Sequence, residues 1–159
     1  MKEVKSNSAV LEGNSKEQEV EQLQILLANY QLYYQNLRNF HWNVRGKEFF
    51  QLHEKFEELY VDASDKVDEI AERILSLDAH PLGSFSDYVA VSSIEEANAN
   101  VSGSDMVKQV VESHNILIEK VKNVIAEADK NGDEGTLDIL PAYVSYFEKL
   151  NWMFKAYLG

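Results

Sequence analysis

Residues 39–60 read NFHWNVRGKEFFQLHEKFEELY, with His41 and His53 twelve positions apart on either side of Arg45-Gly46-Lys47. One apolar stripe ends here and another begins. Upstream, Val20, Leu23, Leu27, Tyr30, Tyr34, Leu37, His41 and Val44 recur in steps of three and four, the spacing of one face of a long amphipathic helix. Gly46 supplies its stop. Downstream a second helix is predicted from about Glu48, with Phe56, Tyr60, Ala63, Val67, Ile70, Ile74 and Leu77 on its apolar face; it ends at HPLG, where Pro81 and Gly83 break the pattern and His80 sits at the helix terminus. A buried histidine has two ring nitrogens to satisfy, so a pair of them on the apolar faces of neighbouring helices needs hydrogen-bond partners or a metal.

The remaining chain reads as more helix. Residues 81–103 are turn-rich, with at most a short helix around residues 93–98, where Ser93 and Glu96 have the form of a capping box. Ser104 is the expected N-cap of a third helix carrying Val107, Val111, His114, Leu117 or Ile118, Val121, Ile125 and Ala128. DKNGDEGT turns the chain into a fourth helix with Leu137, Leu140, Val144, Phe147, Leu150, Phe154 and Leu158, in which Pro141 sits early or makes a kink. No strand pattern competes. The fold class is therefore all-α: a four-helix bundle with a long crossover, containing a short helix, between helices two and three. Residues 1–16 are polar and aperiodic and read as a flexible arm, leaving 17–159 as the bundle domain.

At 159 residues one domain with a full core is expected. The absence of cysteine excludes disulfides, thiolate metal sites and cysteine nucleophiles. Nowhere is there a signal-peptide pattern or an uninterrupted apolar run long enough to span a bilayer, so a cytoplasmic protein without a membrane partner is expected. Asp and Glu outnumber Lys and Arg by 27 to 15, and the net charge of −12 repels phosphate backbones and attracts cations, although acidity for solubility alone explains it equally well.

On the second helix, His53, Glu57, Asp68 and Glu72 lie within about 100° of one another beside the core stripe. His53 with Glu57 and Asp68 with Glu72 are each four apart, a spacing that lets one helix face grip one ion. The two pairs cannot share that ion within one chain, because the helix between Glu57 and Asp68 spans about 16 Å. Two chains meeting with second helices antiparallel across a two-fold axis would bring each pair level with the partner's complementary pair, and His41 could complete one half. Against this stands a solvated charged face, since Glu54, Glu58, Asp62, Asp65 and Glu69 share the helix, and a core histidine bonded to a carbonyl is the simpler reading of His41 alone. His114 reads as a core or interface residue. Glu-x-x-His, needed on two helices for a di-iron site inside a bundle, is absent: Arg38, Phe50, Leu77 and Val111 precede the histidines by three.

The run FHWNVRGKEFFQLHEKFEELYVDASDKVDEIAERI closely resembles the signature of the Dps family, the miniature ferritins, and GDEGTLDIL and EKLNWMFKAYL resemble its fourth helix. The resemblance implies a ferritin-like bundle in a dodecameric homo-oligomer that binds Fe(II) at two-fold interfaces, oxidises it, preferentially with hydrogen peroxide, and stores ferric iron in the cavity. Carried over residue by residue, it implies His41, His53 and Glu57 as ligands from one subunit and Asp68 and Glu72 from the other, with Trp42 beside the site. Position 57 departs from the family, which usually has Asp there. Asp129, Glu134 and Asp138 match positions lining the family's three-fold pores. DNA-binding members carry basic tails; here Lys2, Lys5 and Lys16 face Glu3, Glu12, Glu17 and Glu19, so weak or no DNA binding is expected, with a DNA-compacting shell as the alternative function.

Overall fold

The computed structural model describes residues 8–159, with side chains from Ser15 onward. Its helices are α1 (Ser8–Asn43), α2 (Phe49–Ser76), α3 (Phe85–Val91), α4 (Gly103–Asn131), α5 (Glu134–Ile139) and α6 (Pro141–Leu158). α1 packs on α2 and α4, α4 on α6, and α3 lies against α1. The first seven residues of the expected arm lie outside the described residues; residues 8–16 belong to α1.

The stripes read from the sequence are the core. Leu23, Leu27, Tyr30 and Leu37 of α1, Phe56, Ala63, Ile70 and Ile74 of α2, Val107, Leu117 and Val121 of α4 and Phe147 of α6 are sealed from solvent. Each large apolar side chain so buried contributes about 1.5–3 kcal/mol. At the centre, Tyr33 donates its hydroxyl proton to His114 Nε2 at 2.8 Å, and His114 Nδ1 donates to Asn151 Oδ1 at 2.8 Å. His114 is thus a satisfied core residue, and burial pulls its pKa down from 6.5 to about 4. Lys66 of α2, which like His114 lies beside Phe147, bonds Asp62 at 2.7 Å and places its ammonium 3.6 Å from the ring centre of Tyr146 and 5.0 Å from that of Tyr143.

Three sequence expectations need correction, and the alternative left open at Pro141 is resolved. The short crossover helix is α3, N-capped by Ser84, whose Oγ accepts from Asp87 N; residues 93–98 are not helical, because Asn29 Oδ1 of α1 captures the amides of Ser93 and Ile94 at 3.0 and 3.1 Å. The N-cap of α4 is Ser102, not Ser104, its Oγ accepting from Asp105 N. The fourth rod breaks at Leu140 into α5 and α6, with Pro141 in the first turn of α6, where a missing N–H costs nothing. His80 lies beyond the end of α2, which stops at Ser76; the His80 carbonyl accepts from Gln24 Nε2.

Candidate metal centre

The turn between α1 and α2 brings the two histidines together. Gly46, at φ +107°, takes the left-handed conformation that lets the chain reverse within five residues. His41 then stacks on His53, with ring centres 3.8 Å apart and planes 13° from parallel. Each ring donates Nδ1–H to the other residue's main-chain carbonyl, at 2.7 Å in both directions. A neutral imidazole that donates from Nδ1 carries its lone pair on Nε2. Both Nε2 atoms are therefore metal-competent, and neither has a hydrogen-bond partner among the described residues.

The surroundings fix this orientation. Phe49 stacks on His53 at 4.9 Å, and Tyr60 meets the His41 ring edge-on at 5.3 Å. His41 is buried and His53 half-buried, so the pair faces outward from the edge of the core. Nearby, Arg38 lies between Tyr34 and Trp42, 5.2 and 5.0 Å from their rings, holding a tryptophan that is 57% exposed. The contacts of Tyr60 and Phe49 with the histidines and of Arg38 with Trp42 were missed in the sequence, although Tyr34, Arg38 and Trp42 stand at spacings of four on one helix face.

The acids behave differently. Glu57, Asp68 and Glu72 are exposed on α2 and make no ion pair among the described residues. No group of three or more His, Asp or Glu among the described residues converges to hold a metal ion within the single chain. One chain thus gathers two imidazoles and leaves three carboxylates free. Asp129, Glu134 and Asp138 are likewise exposed and unpaired among the described residues; Asp129 is near the end of α4, and the other two are on α5.

Between these regions lies a clamp that the sequence did not disclose. Arg73, the residue after Glu72, bonds both carboxylate oxygens of Asp133 through Nη2, at 2.7 and 3.0 Å, and donates from Nε to Thr136 Oγ1 at 2.9 Å. Asp133 in turn caps α5 by accepting from Thr136 N. Gly135 lies so close beneath the guanidinium that a Cβ there would sit 2.7 Å from both terminal nitrogens. Among the described residues no helix is long and apolar enough to cross a membrane.

The family model for the ferritin-like domain matches residues 20–159, a span containing every one of these side chains. General stress protein 20U of Bacillus subtilis is 41% identical over 143 residues, 90% of this chain and 99% of its own length. The DNA protection during starvation protein of Porphyromonas gingivalis is 43% identical over 132 residues, 83% of each chain. Among solved structures, a Dps protein from Vibrio cholerae O1, described as a member of a broad superfamily of ferritin-like diiron-carboxylate proteins, superposes with a TM-score of 0.89 at 42% identity and 92% coverage of both chains. The Dps protein from Bacillus brevis superposes equally well, at 0.89 and 39% identity, covering 92% of this chain and 98% of that one.

Proposed function

The chain belongs to the Dps family of ferritin-like proteins, and from that footing we propose that it is a ferroxidase that binds Fe(II) between two copies of itself, oxidises it and stores the ferric product in a dodecameric shell. Iron is the substrate here. The observation that carries the reading is the pair His41 and His53: both Nδ1 atoms are consumed by backbone carbonyls, and among the described residues both Nε2 lone pairs are left over and no third ligand converges on them. Such a half-site is complete only with acids from elsewhere, and Asp68 and Glu72 of the partner subunit supply them, with Glu57 on the same helix face as His53.

The residues act by binding and by exclusion. The reciprocal backbone bonds hold the imidazoles in one tautomer and one orientation, so ligation needs no rearrangement. Three carboxylates offset the charge of the incoming cations and favour the ferric product, whose higher charge they hold more tightly. Hydrogen peroxide is the preferred oxidant. Two Fe(II) ions give one electron each, the O–O bond takes both, and with two protons two water molecules leave. Pairing the electrons in this way avoids the one-electron cleavage that releases hydroxyl radical. Asp129, Glu134 and Asp138 draw cations toward the cavity by their unpaired charge. Protection works in the cytoplasm through removal of iron and peroxide and not through DNA contact, because a chain at −12 repels phosphate.

The test is anaerobic loading with Fe(II), then a stoichiometric pulse of hydrogen peroxide while ferric absorbance is followed, beside an Asp68→Ala/Glu72→Ala variant. Fast oxidation with a soluble product, lost in the variant, is expected. A rate equal to that in buffer would sink the ferroxidase reading. A mobility shift with duplex DNA that resists salt would sink the claim about DNA.

A further inference from the structure

Glu19 is an ionisable side chain in the interior of the bundle for which the iron chemistry gives no reason. It is 1% exposed on α1; its Oε2 accepts from Asn131 Nδ2 at 2.7 Å, and its Oε1 is buried without a donor. The carboxyl it faces is Asp133, and the two are within hydrogen-bonding reach. Two ionised carboxylates side by side, one sealed and one partly buried, repel, and a proton on one of them relieves the contact. Asp133 is the ionised member, because both its oxygens already accept from Arg73 and from Thr136. Glu19 holds the proton.

We propose that this shared proton, together with Arg73, latches α5 to the bundle and so positions Glu134 and Asp138, the acids that draw Fe(II) toward the cavity; the inference rests on the iron-uptake reading given above. With Glu19 protonated, the contact holds one guanidinium against one carboxylate and is neutral. Ionising Glu19 leaves a net negative charge in the interior and sets it against the N-cap of α5. Among the described residues, the other groups named around Glu19 do not absorb that charge. Asn131 of α4 and Thr136 of α5 are neutral, Arg73 of α2 is engaged by Asp133, and Lys16, one turn earlier on α1, points to Asp78 at 3.7 Å. Ser15 bonds Asn131.

The pKa directions agree with the geometry. Burial first, and then Asp133, raise Glu19 above the usual glutamate range. For Asp133 burial acts upward, but the hydrogen bonds from Glu19, Thr136 and Arg73 outweigh it and hold the group below the usual carboxylate range. A group raised in the closed state stabilises that state fully at low pH and loses the contribution as pH rises through the raised value. Opening the latch releases a proton.

Hydrogen exchange of the segment 133–140, measured by mass spectrometry on the assembled protein and corrected for the intrinsic pH dependence of exchange, tests this. In the native sequence the opening constant should rise by up to about tenfold per pH unit above the usual glutamate range and then level off. Glu19→Gln keeps an N–H donor toward Asp133 but cannot ionise, so its profile should be flat. Fe(II) uptake should slow with rising pH in the native protein and not in Glu19→Gln. Arg73→Lys, which keeps the charge but loses the two-pronged hold, should expose the segment at every pH. Superimposed profiles for the native protein and Glu19→Gln would overturn the latch, and so would uptake unresponsive to pH in a protein whose segment does open. If the native protein oxidises no Fe(II) at any pH, the iron reading falls; the exchange profiles alone then decide the latch, separated curves sustaining it and superimposed ones ending it.

Discussion

His41 and His53 hold each other in place: each donates its Nδ1 proton to the other's main-chain carbonyl, and their rings stack at 3.8 Å. An alanine at either position leaves the other ring its carbonyl but removes the stacked partner and one of the two ligand nitrogens. His41→Ala and His53→Ala are each expected to slow rapid Fe(II) oxidation by about tenfold or more, and the double variant should be little worse than the poorer single one. Stopped-flow initial rates on a four-member cycle measure this; rates that multiply independently would mean the two rings act separately.

A site split between chains can be rebuilt from two broken halves. His41→Ala/His53→Ala and Asp68→Ala/Glu72→Ala should each be inactive as pure assemblies. Unfolded together, mixed in equal amounts and refolded, they should regain about a quarter of the native activity, since half the pairs are mixed and each mixed pair restores one of two sites. No recovery in a properly assembled mixture would place the acids and histidines in separate sites.

The buried His114 imposes an acid limit on stability. Its pKa falls from 6.5 to about 4 in the fold, so the unfolded chain binds the extra proton between those values. Stability tied to this group is therefore intact above about pH 6.5 and drains away as pH falls toward 4, on the order of 3 kcal/mol in all. Thermal unfolding at fixed protein concentration should show this slope in the native sequence, and His114→Gln should lessen it while lowering stability at neutral pH.

Asn29 ties the crossover to α1 through Ser93 N, Ile94 N and Ser92 Oγ, all on its Oδ1. Asn29→Ala strands these donors and should cost about 1–3 kcal/mol for each amide that water cannot reach. Chemical denaturation provides the number, and Asn29→Asp, which retains the acceptor, should recover part of it.

The long rods were legible because apolar residues repeat at helical spacing over many turns, as with Leu23 to Leu37 and Phe56 to Ile74. His41 and His53 were legible as a pair for the same reason: their stripes converge on one turn. The crossover was not, since Ser84 and Ser93 look equally able to cap a helix, and the choice belongs to Asn29, some sixty residues away. The Arg73–Asp133–Glu19 contact was hidden similarly. Each member resembles a surface charge, and only the meeting of α1, α2 and α5 seals Glu19 and half-buries Arg73 and Asp133.

Lys66 has a meaning beyond packing. Its side chain, bonded to Asp62 and roofed by Tyr143 and Tyr146, fills space inside the bundle, the region where other carboxylate bundles build a di-iron centre. The proposed site lies instead where copies touch, and among the described residues a single subunit brings together only its two imidazoles. On that reading the smallest unit able to oxidise iron is a pair of chains, and association itself becomes the switch that turns the chemistry on.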